Sequence, residues 1–173
     1  MSVKKNKTEE EIKIEIISKA MKDKSIYYIV DTENVDKSSY VDLSGLRKKD
    51  ILKLMYTEHS KCIDYNTLEV IHKCLADIRF KSFGIIQATK DLLDFKMVVE
   101  GTSVIAKSNK YFVVFITEDK GFDSAVDYIN ELYGTRCTRL DKIINIQQEE
   151  ENNTKKTKGG KKKVKEEFDP LKI

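Results

Sequence analysis

The chain has 173 residues, enough for one compact domain with an appendage but not for two full cores. With 40% hydrophobic and 35% charged residues it carries more charge than an average globular domain but enough apolar residues to fold, which excludes disorder throughout. The formal charge of +3 is unevenly divided, because eight lysines face three acids from Thr154 onward, a local +5, and residues 1–153 carry −2.

A basic tail attracts polyanions while a mildly acidic body keeps room for a carboxylate-rich site. A solvated tail that only aids solubility is the plain alternative. Met1 to Lys7 is basic but runs into Thr8-Glu9-Glu10-Glu11, and no apolar run approaches membrane-spanning length, so a cytoplasmic protein without a membrane partner is expected. Cys62, Cys74 and Cys137 are odd in number and far apart; they suggest buried thiols, not a disulfide framework or a zinc site.

Thr8 and Glu11 form a capping box, and Ile12, Ile16, Ile17, Ala20 and Met21 recur at helical spacing, so the chain opens with an amphipathic helix ending near Lys24. Ile26 to Val30 is a continuous apolar run rich in β-branched and aromatic residues, the pattern of a strand buried on both faces, and it stops at Asp31. A polar stretch, Thr32 to Ser44, leads to a second strand at Ile51 to Tyr56. After Asn66 a helical segment holds Leu68, Ile71, Leu75 and Ile78. A third strand begins near Arg79 and includes Ile85-Ile86, a helix covers Asp91 to Ala106, and Tyr111 to Thr117 is the clearest strand of all. A helix from about Asp123 to Tyr133 follows, with Gly134 as its C-terminal cap and Arg136 to Leu140 as a last edge strand.

Alternating strands and helices predict a three-layer α/β/α fold of Rossmann-like type with a mostly parallel sheet. The predicted organisation is an amphipathic helix over 1–24, the α/β domain over 25–146, and a flexible, disordered Lys-rich tail over 147–173.

In such a sheet, ligands gather at the carboxyl ends of the strands, where loops converge and helix N-termini point inward. Acids occupy those positions: Asp31 ends the first strand, Glu58 follows the second, Asp94 lies in the first turn of the helix after the third, and Asp119 and Asp123 bracket the exit of the fourth. Singly, each has an ordinary explanation as a helix or turn cap. Together, four carboxylates at one edge would repel one another unless a cation sat among them, and hard oxygen ligands suit Mg²⁺ or Mn²⁺.

Ile29-Val30-Asp31-Thr32-Glu33-Asn34, Asp94-Phe95-Lys96-Met97-Val98 and Ile116-Thr117-Glu118-Asp119-Lys120-Gly121-Phe122-Asp123 resemble the successive acidic motifs of PIN-like nucleases, near the NYN-type branch. The resemblance runs from about Ile26 to Leu140. It implies a PIN-like fold and a Mg²⁺- or Mn²⁺-dependent endoribonuclease whose metal is held by Asp31, Asp94, Asp119 and Asp123, with Glu58 as a further catalytic acid. Asp91 competes with Asp94 for the third role. RNA is the implied substrate, with single-stranded DNA as the alternative.

The expected mechanism is metal-assisted phosphodiester hydrolysis, with a bound cation activating a water and neutralising charge on the phosphate. Asn34 supports the loop or contacts substrate, Lys90 and Lys120 stand beside the acids as phosphate contacts, and Lys161, Lys162 and Lys163 supply the tail's attraction to RNA. His59 adjoins Glu58, whereas His72 falls in a helical pattern and reads as a partly buried structural residue. No base-reading motif with interleaved aromatics is visible along the sequence. Three rivals remain: a nucleic-acid-binding or interaction module on the same fold, a haloacid-dehalogenase-like phosphatase, and a receiver-like domain. The second lacks an acid pair at Asp31-Thr32-Glu33 in the required form, and the third lacks the expected lysine after its last strand.

Overall fold

The computed structural model describes residues 7–40, 42–60, 63–83 and 92–146. Its elements run α1 (Glu9–Asp23), β1 (Ser25–Asp31), a short 3₁₀ turn (Lys37–Tyr40), β2 (Ile51–Tyr56), α2 (Tyr65–Lys73), β3 (Asp77–Ser82), α3 (Leu92–Lys107), β4 (Tyr111–Ile116), α4 (Gly121–Tyr133) and β5 (Cys137–Leu140). The five strands form one sheet in the order β3-β2-β1-β4-β5, and every pairing is parallel. Parallel pairing puts all five carboxyl ends on a single edge of the sheet.

β1 occupies the centre because it can be buried on both faces. Ile26, Tyr28 and Val30 join Ile14 and Ile17 of α1, Ile71 of α2 and the even-numbered residues of β4 in one apolar layer. Tyr27 and Ile29 face the other way, with Leu93, Met97 and Ile105 of α3 and Phe122, Val126 and Ile129 of α4. The result is the expected three-layer α/β/α architecture.

Local chemistry explains the element ends. Thr8 Oγ1 accepts the Glu11 amide at 3.2 Å and Glu11 Oε2 accepts the Thr8 amide at 2.8 Å, which closes the capping box foreseen from sequence. The helix buries Ile14 and Ile17, and Ile12, placed on the stripe by its spacing, is 46% exposed. Gly134, with φ of 73°, ends α4 in a conformation that L side chains rarely adopt. At Gly101 a Cβ would stand 2.4 Å from Phe115 Cζ, so α3 can lie against β4 only because that side chain is absent.

The observed boundaries differ from the expected ones where apolar spacing continues past a helix end. α2 ends at Lys73; Leu75 lies beyond it and Ile78 belongs to β3. The apolar spacing of Leu68, Ile71, Leu75 and Ile78 continues through a helix end because the next element happens to bring apolar residues at the same intervals. His72 is exposed on α2 and not partly buried. Ile85-Ile86, Lys90, Asp91, Cys62 and the whole tail lie outside the described residues. Cys137 is buried, which pushes its thiol up to about 12, while Cys74 is half-buried. No helix among the described residues is long and apolar enough to cross a membrane.

At the amino end of the sheet one buried ion pair ties three elements together. Asp50 is fully buried; its Oδ1 accepts the Ile26 amide at 2.8 Å and Arg47 Nη2 at 2.7 Å, and its Oδ2 accepts Arg47 Nε at 2.9 Å. Arg47 also donates to the carbonyls of Met21 at 2.6 Å and Lys24 at 3.0 Å, so it holds the end of α1 against the start of β1. Removing Asp50 would leave the largely buried Arg47 guanidinium without its counter-charge and the Ile26 amide without its acceptor. Asp50→Ala is therefore expected to cost ~3 kcal/mol, a fall in Tm of roughly 6–12 °C for a chain of this size. Thermal unfolding followed by circular dichroism checks it, and a loss below about 1 °C would mean that the pair does not hold these elements.

Candidate active site

Asp31 is the last residue of β1 and has no exposed surface. Its Oδ1 accepts the amides of Glu33 at 3.0 Å and Asn34 at 3.2 Å, and its Oδ2 accepts Asn34 Nδ2 at 2.8 Å and Thr117 Oγ1 at 2.9 Å. The carboxylate does cap the turn after β1, but it is also a buried charge held by four neutral donors, which replace water without cancelling the charge.

Thr117, at the exit of β4, links this group to the next acid. It is fully buried, and the hydroxyl that donates to Asp31 accepts the Asp119 amide at 3.1 Å. Asp119 itself is exposed, and its Oδ1 accepts the Gly121 amide at 2.7 Å, which closes the turn leading into α4. Two hydrogen bonds through one hydroxyl thus fix the loops after β1 and β4 relative to each other.

Asp123, in the first turn of α4, is turned toward a different set of groups. Its Oδ1 accepts Arg139 Nε at 2.9 Å, its Oδ2 accepts Arg139 Nη2 at 3.3 Å, and Lys13 Nζ of α1 stands 3.5 Å from Oδ1. The Arg139 hydrogen bonds hold the carboxyl below the usual carboxylate range. Arg139, whose side chain is 5% exposed, also donates to the Thr117 carbonyl at 2.9 Å and to Asp141. Beside this hub lies a mixed-charge cavity of about 460 Å³, where Lys13, Lys120, Arg139 and Lys142 face Glu9 and Glu10.

The other expected residues are spread along the same edge. Glu58 lies in the turn after β2, with Oε1 3.7 Å from His59 Nε2, and both are exposed. Asp94 is half-buried in the first turn of α3. Asn34 is exposed and spends its amide on Asp31, and Lys120 is exposed at the position preceding α4. Lys90, Lys161, Lys162 and Lys163 fall outside the described residues.

A divalent cation is the group expected at this edge. Among the described residues no three His, Cys, Asp or Glu side chains converge closely enough to hold one ion. Mg²⁺, however, keeps several waters and is often bound through only one or two carboxylates plus substrate phosphates. A buried carboxylate with uncompensated charge, whose Thr117 partner also accepts the backbone amide of the exposed Asp119, puts hard carboxylate oxygens on two neighbouring loops, a donor chemistry that fits this sparse ligation.

Two contributors carry no sequence motif: Thr117 reads only as the end of a strand, and Arg139 as a residue of an edge strand. A charged residue inside the short apolar-flanked run Cys137 to Leu140, with Asp141 two positions on, is the one sequence signal of a buried partner for an acid.

The Arg139 pair has a defined pH signature. Because the folded carboxyl of Asp123 is held low, its contribution to stability is complete above the unfolded value of about 4 and fades as pH falls through the lower folded value. Asp123 is partly exposed, so the contribution is ~1 kcal/mol or less. Asp123→Asn should lower Tm at pH 7, and the gap to wild type should narrow below about pH 4. A gap that widens on acidification would contradict the pairing.

A PIN-domain family model matches residues 25–140. No curated protein and no solved structure matches the chain. PIN domains are in general nucleases and typically use divalent metal ions. The matched span begins with β1 and ends with β5, so it covers the whole parallel sheet and both acid-bearing loops, and this chain belongs to the PIN-domain family.

Proposed function

We propose that the protein is a metal-dependent endoribonuclease that hydrolyses phosphodiester bonds at the carboxyl edge of its sheet. The observation that carries this reading is Asp31, a fully buried carboxylate fixed by four neutral donors and joined through Thr117 to the exposed Asp119. A carboxylate kept in that state costs folding energy, and ligation of a cation by the folded protein would recover it.

Asp31 and Asp119 would hold the ion. When bound, the ion supplies a lowered water pKa and neutralises charge on the phosphate. Asn34 and Thr117 keep the Asp31 carboxylate in one orientation, since each donates to Oδ2. Asp94 and Glu58 are the additional acids of the edge, placed to orient water or protonate a leaving oxygen. Asp123 is assigned to positioning: by engaging Arg139 it fixes the Thr117 carbonyl and the first turn of α4. Lys120 stands where it can meet a substrate phosphate, and the basic tail supplies attraction to RNA that does not depend on sequence.

Incubating the full chain with labelled single-stranded RNA and Mn²⁺ or Mg²⁺ tests the reading. Wild type should cut internally and stop in chelator. Asp31→Asn and Asp119→Asn should each slow cleavage more than ~100-fold, because removing a ligand costs more than the 10–100-fold typical of outer-shell partners. RNA that shifts in a gel yet stays intact would favour a binding module on the same fold.

A further inference from the structure

We infer that the apolar groove between α2 and the edge strand β3 is the docking site of a segment of this same chain, Phe168 to Ile173, held through Phe168, Leu171 and Ile173. The groove lies on the α1/α2 face of the sheet. The inference needs no part of the nuclease reading, and the cleavage chemistry uses none of the residues that form the apolar walls.

β3 ends the sheet, and its register with β2 puts Ile78 beside Leu52 and Phe80 beside Leu54, on the face that α1 and α2 cover. Two cavities open there. One, of about 530 Å³, is walled by Leu68, Ile71, Cys74, Ala76, Ile78 and Phe80. The other, of about 250 Å³, is walled by Leu54, Tyr56, Ile63 and Phe80. Phe80 belongs to both, so they form one groove that runs along β3 to the carboxyl edge. Phe80 is 52% exposed, and Leu75, between two residues of the wall, is 71% exposed. An apolar surface of this kind at a sheet edge gains free energy from an apolar cover.

The course of the chain names the occupant. Ile146, the last described residue, is buried in the same apolar layer as Ile71, Cys74 and Ile78. Asn145 Nδ2 donates to Ser44 Oγ at 3.0 Å, and Cys74 Sγ donates to the Leu43 carbonyl at 4.0 Å. Residues 147–173 therefore leave the fold one short loop away from the groove wall. Val164 is the sole apolar side chain between Ile146 and Phe168, so that stretch can serve as a tether, and a coil of its length spans roughly 25 Å. The tether presents its end to the groove at an effective concentration in about the millimolar range. A second copy of the chain at micromolar concentration has no such advantage.

Shape and charge both fit. Asp169 precedes Pro170, which favours extended backbone, so Phe168 and Ile173 stand roughly 17 Å apart at the rise of a strand, with Leu171 between them. That is about the length of β3, which has six residues. One aromatic and two branched side chains can then enter the two cavities. The end of the groove at the carboxyl edge is acidic, because Glu33 is bonded to Thr57 of the wall and the exposed Glu58 follows Thr57. Lys161, Lys162, Lys163 and Lys165 lie a few residues before Phe168. Docking lays them over that rim, where opposite charge favours them.

The chain contains no tryptophan, so Phe168→Trp in the full chain introduces a single fluorescent reporter at the first anchor. Its emission should lie to the blue of a free peptide of residues 161–173 carrying the same substitution, and acrylamide should quench it several-fold less. Both differences should be independent of protein concentration. Adding Phe80→Lys or Leu68→Lys, each at an exposed position of the groove, should return emission and quenching to the values of the peptide, with circular dichroism showing that the fold is kept. Leu132→Lys, at an exposed position of α4 on the opposite face of the sheet, should change neither. The docking site is overturned if the reporter in the full chain behaves like the peptide, or if both groove substitutions leave it protected. It is also overturned if protection grows with protein concentration, which would give the groove to the segment of a second copy.

Discussion

The structure depends on burying β1 on both faces between two parallel neighbours. A strand so placed has no solvent along its length, so its only contact with the functional surface is its carboxyl end, and there the chain carries Asp31. The same parallel constraint carries β2, β3, β4 and β5 out at that edge, and every loop bearing a proposed functional residue leaves from it. The opposite edge is structural. It holds the Arg47–Asp50 pair, which locks α1 and β1 in place far from the acids.

Rigidity is conveyed to the acid edge by a short chain of polar contacts. Arg139 is buried in β5 and donates to the carbonyl of Thr117, whose hydroxyl donates to Asp31. Asp123 and Asp141 compensate the guanidinium charge, so the buried cation is not left unpaired. A carboxylate that must hold one orientation thus rests on a residue two strands away in the sheet, with β4 as the intermediary. Loops alone would let Asp31 rotate; a buried hydroxyl and an asparagine amide on one oxygen do not.

The framework was legible because its signals are local. The capping box at Thr8 and Glu11, the apolar run before Asp31 and the strand at Tyr111 each occupy a few consecutive residues, and all three form as read. The end of α2 is not legible because Leu75 and Ile78 preserve a helical spacing across the turn between α2 and β3, which no glycine or proline marks. Long-range partners left no trace in the sequence: Gly101 is an unexplained helix glycine until Phe115 is seen against it, and Arg139 is an ordinary strand arginine until Asp123 meets it 16 residues away. Interleaved aromatics were absent along the chain for the same reason. Tyr56 and Phe80 belong to two different strands, and only the parallel pairing of β2 and β3 brings them to one face of the sheet, while Phe83 packs on the other.

A carboxylate-rich edge poses an electrostatic problem for a nuclease, since it repels the polymer it must cut. Cations placed among the acids would neutralise them by direct pairing, which is what Arg139 does to Asp123. The arrangement around Asp31 avoids that loss by separating the two signs. Asp31 is held by neutral donors alone, while the lysines that could attract phosphate stand to either side: Lys81 and Lys96 by Phe83 beyond β2, and Lys120 past the end of β4. A strand crossing the edge would then be gripped at its flanks, over a buried Asp31 carboxylate whose charge its neutral donors leave uncancelled, the one place where a hard cation gains most by binding.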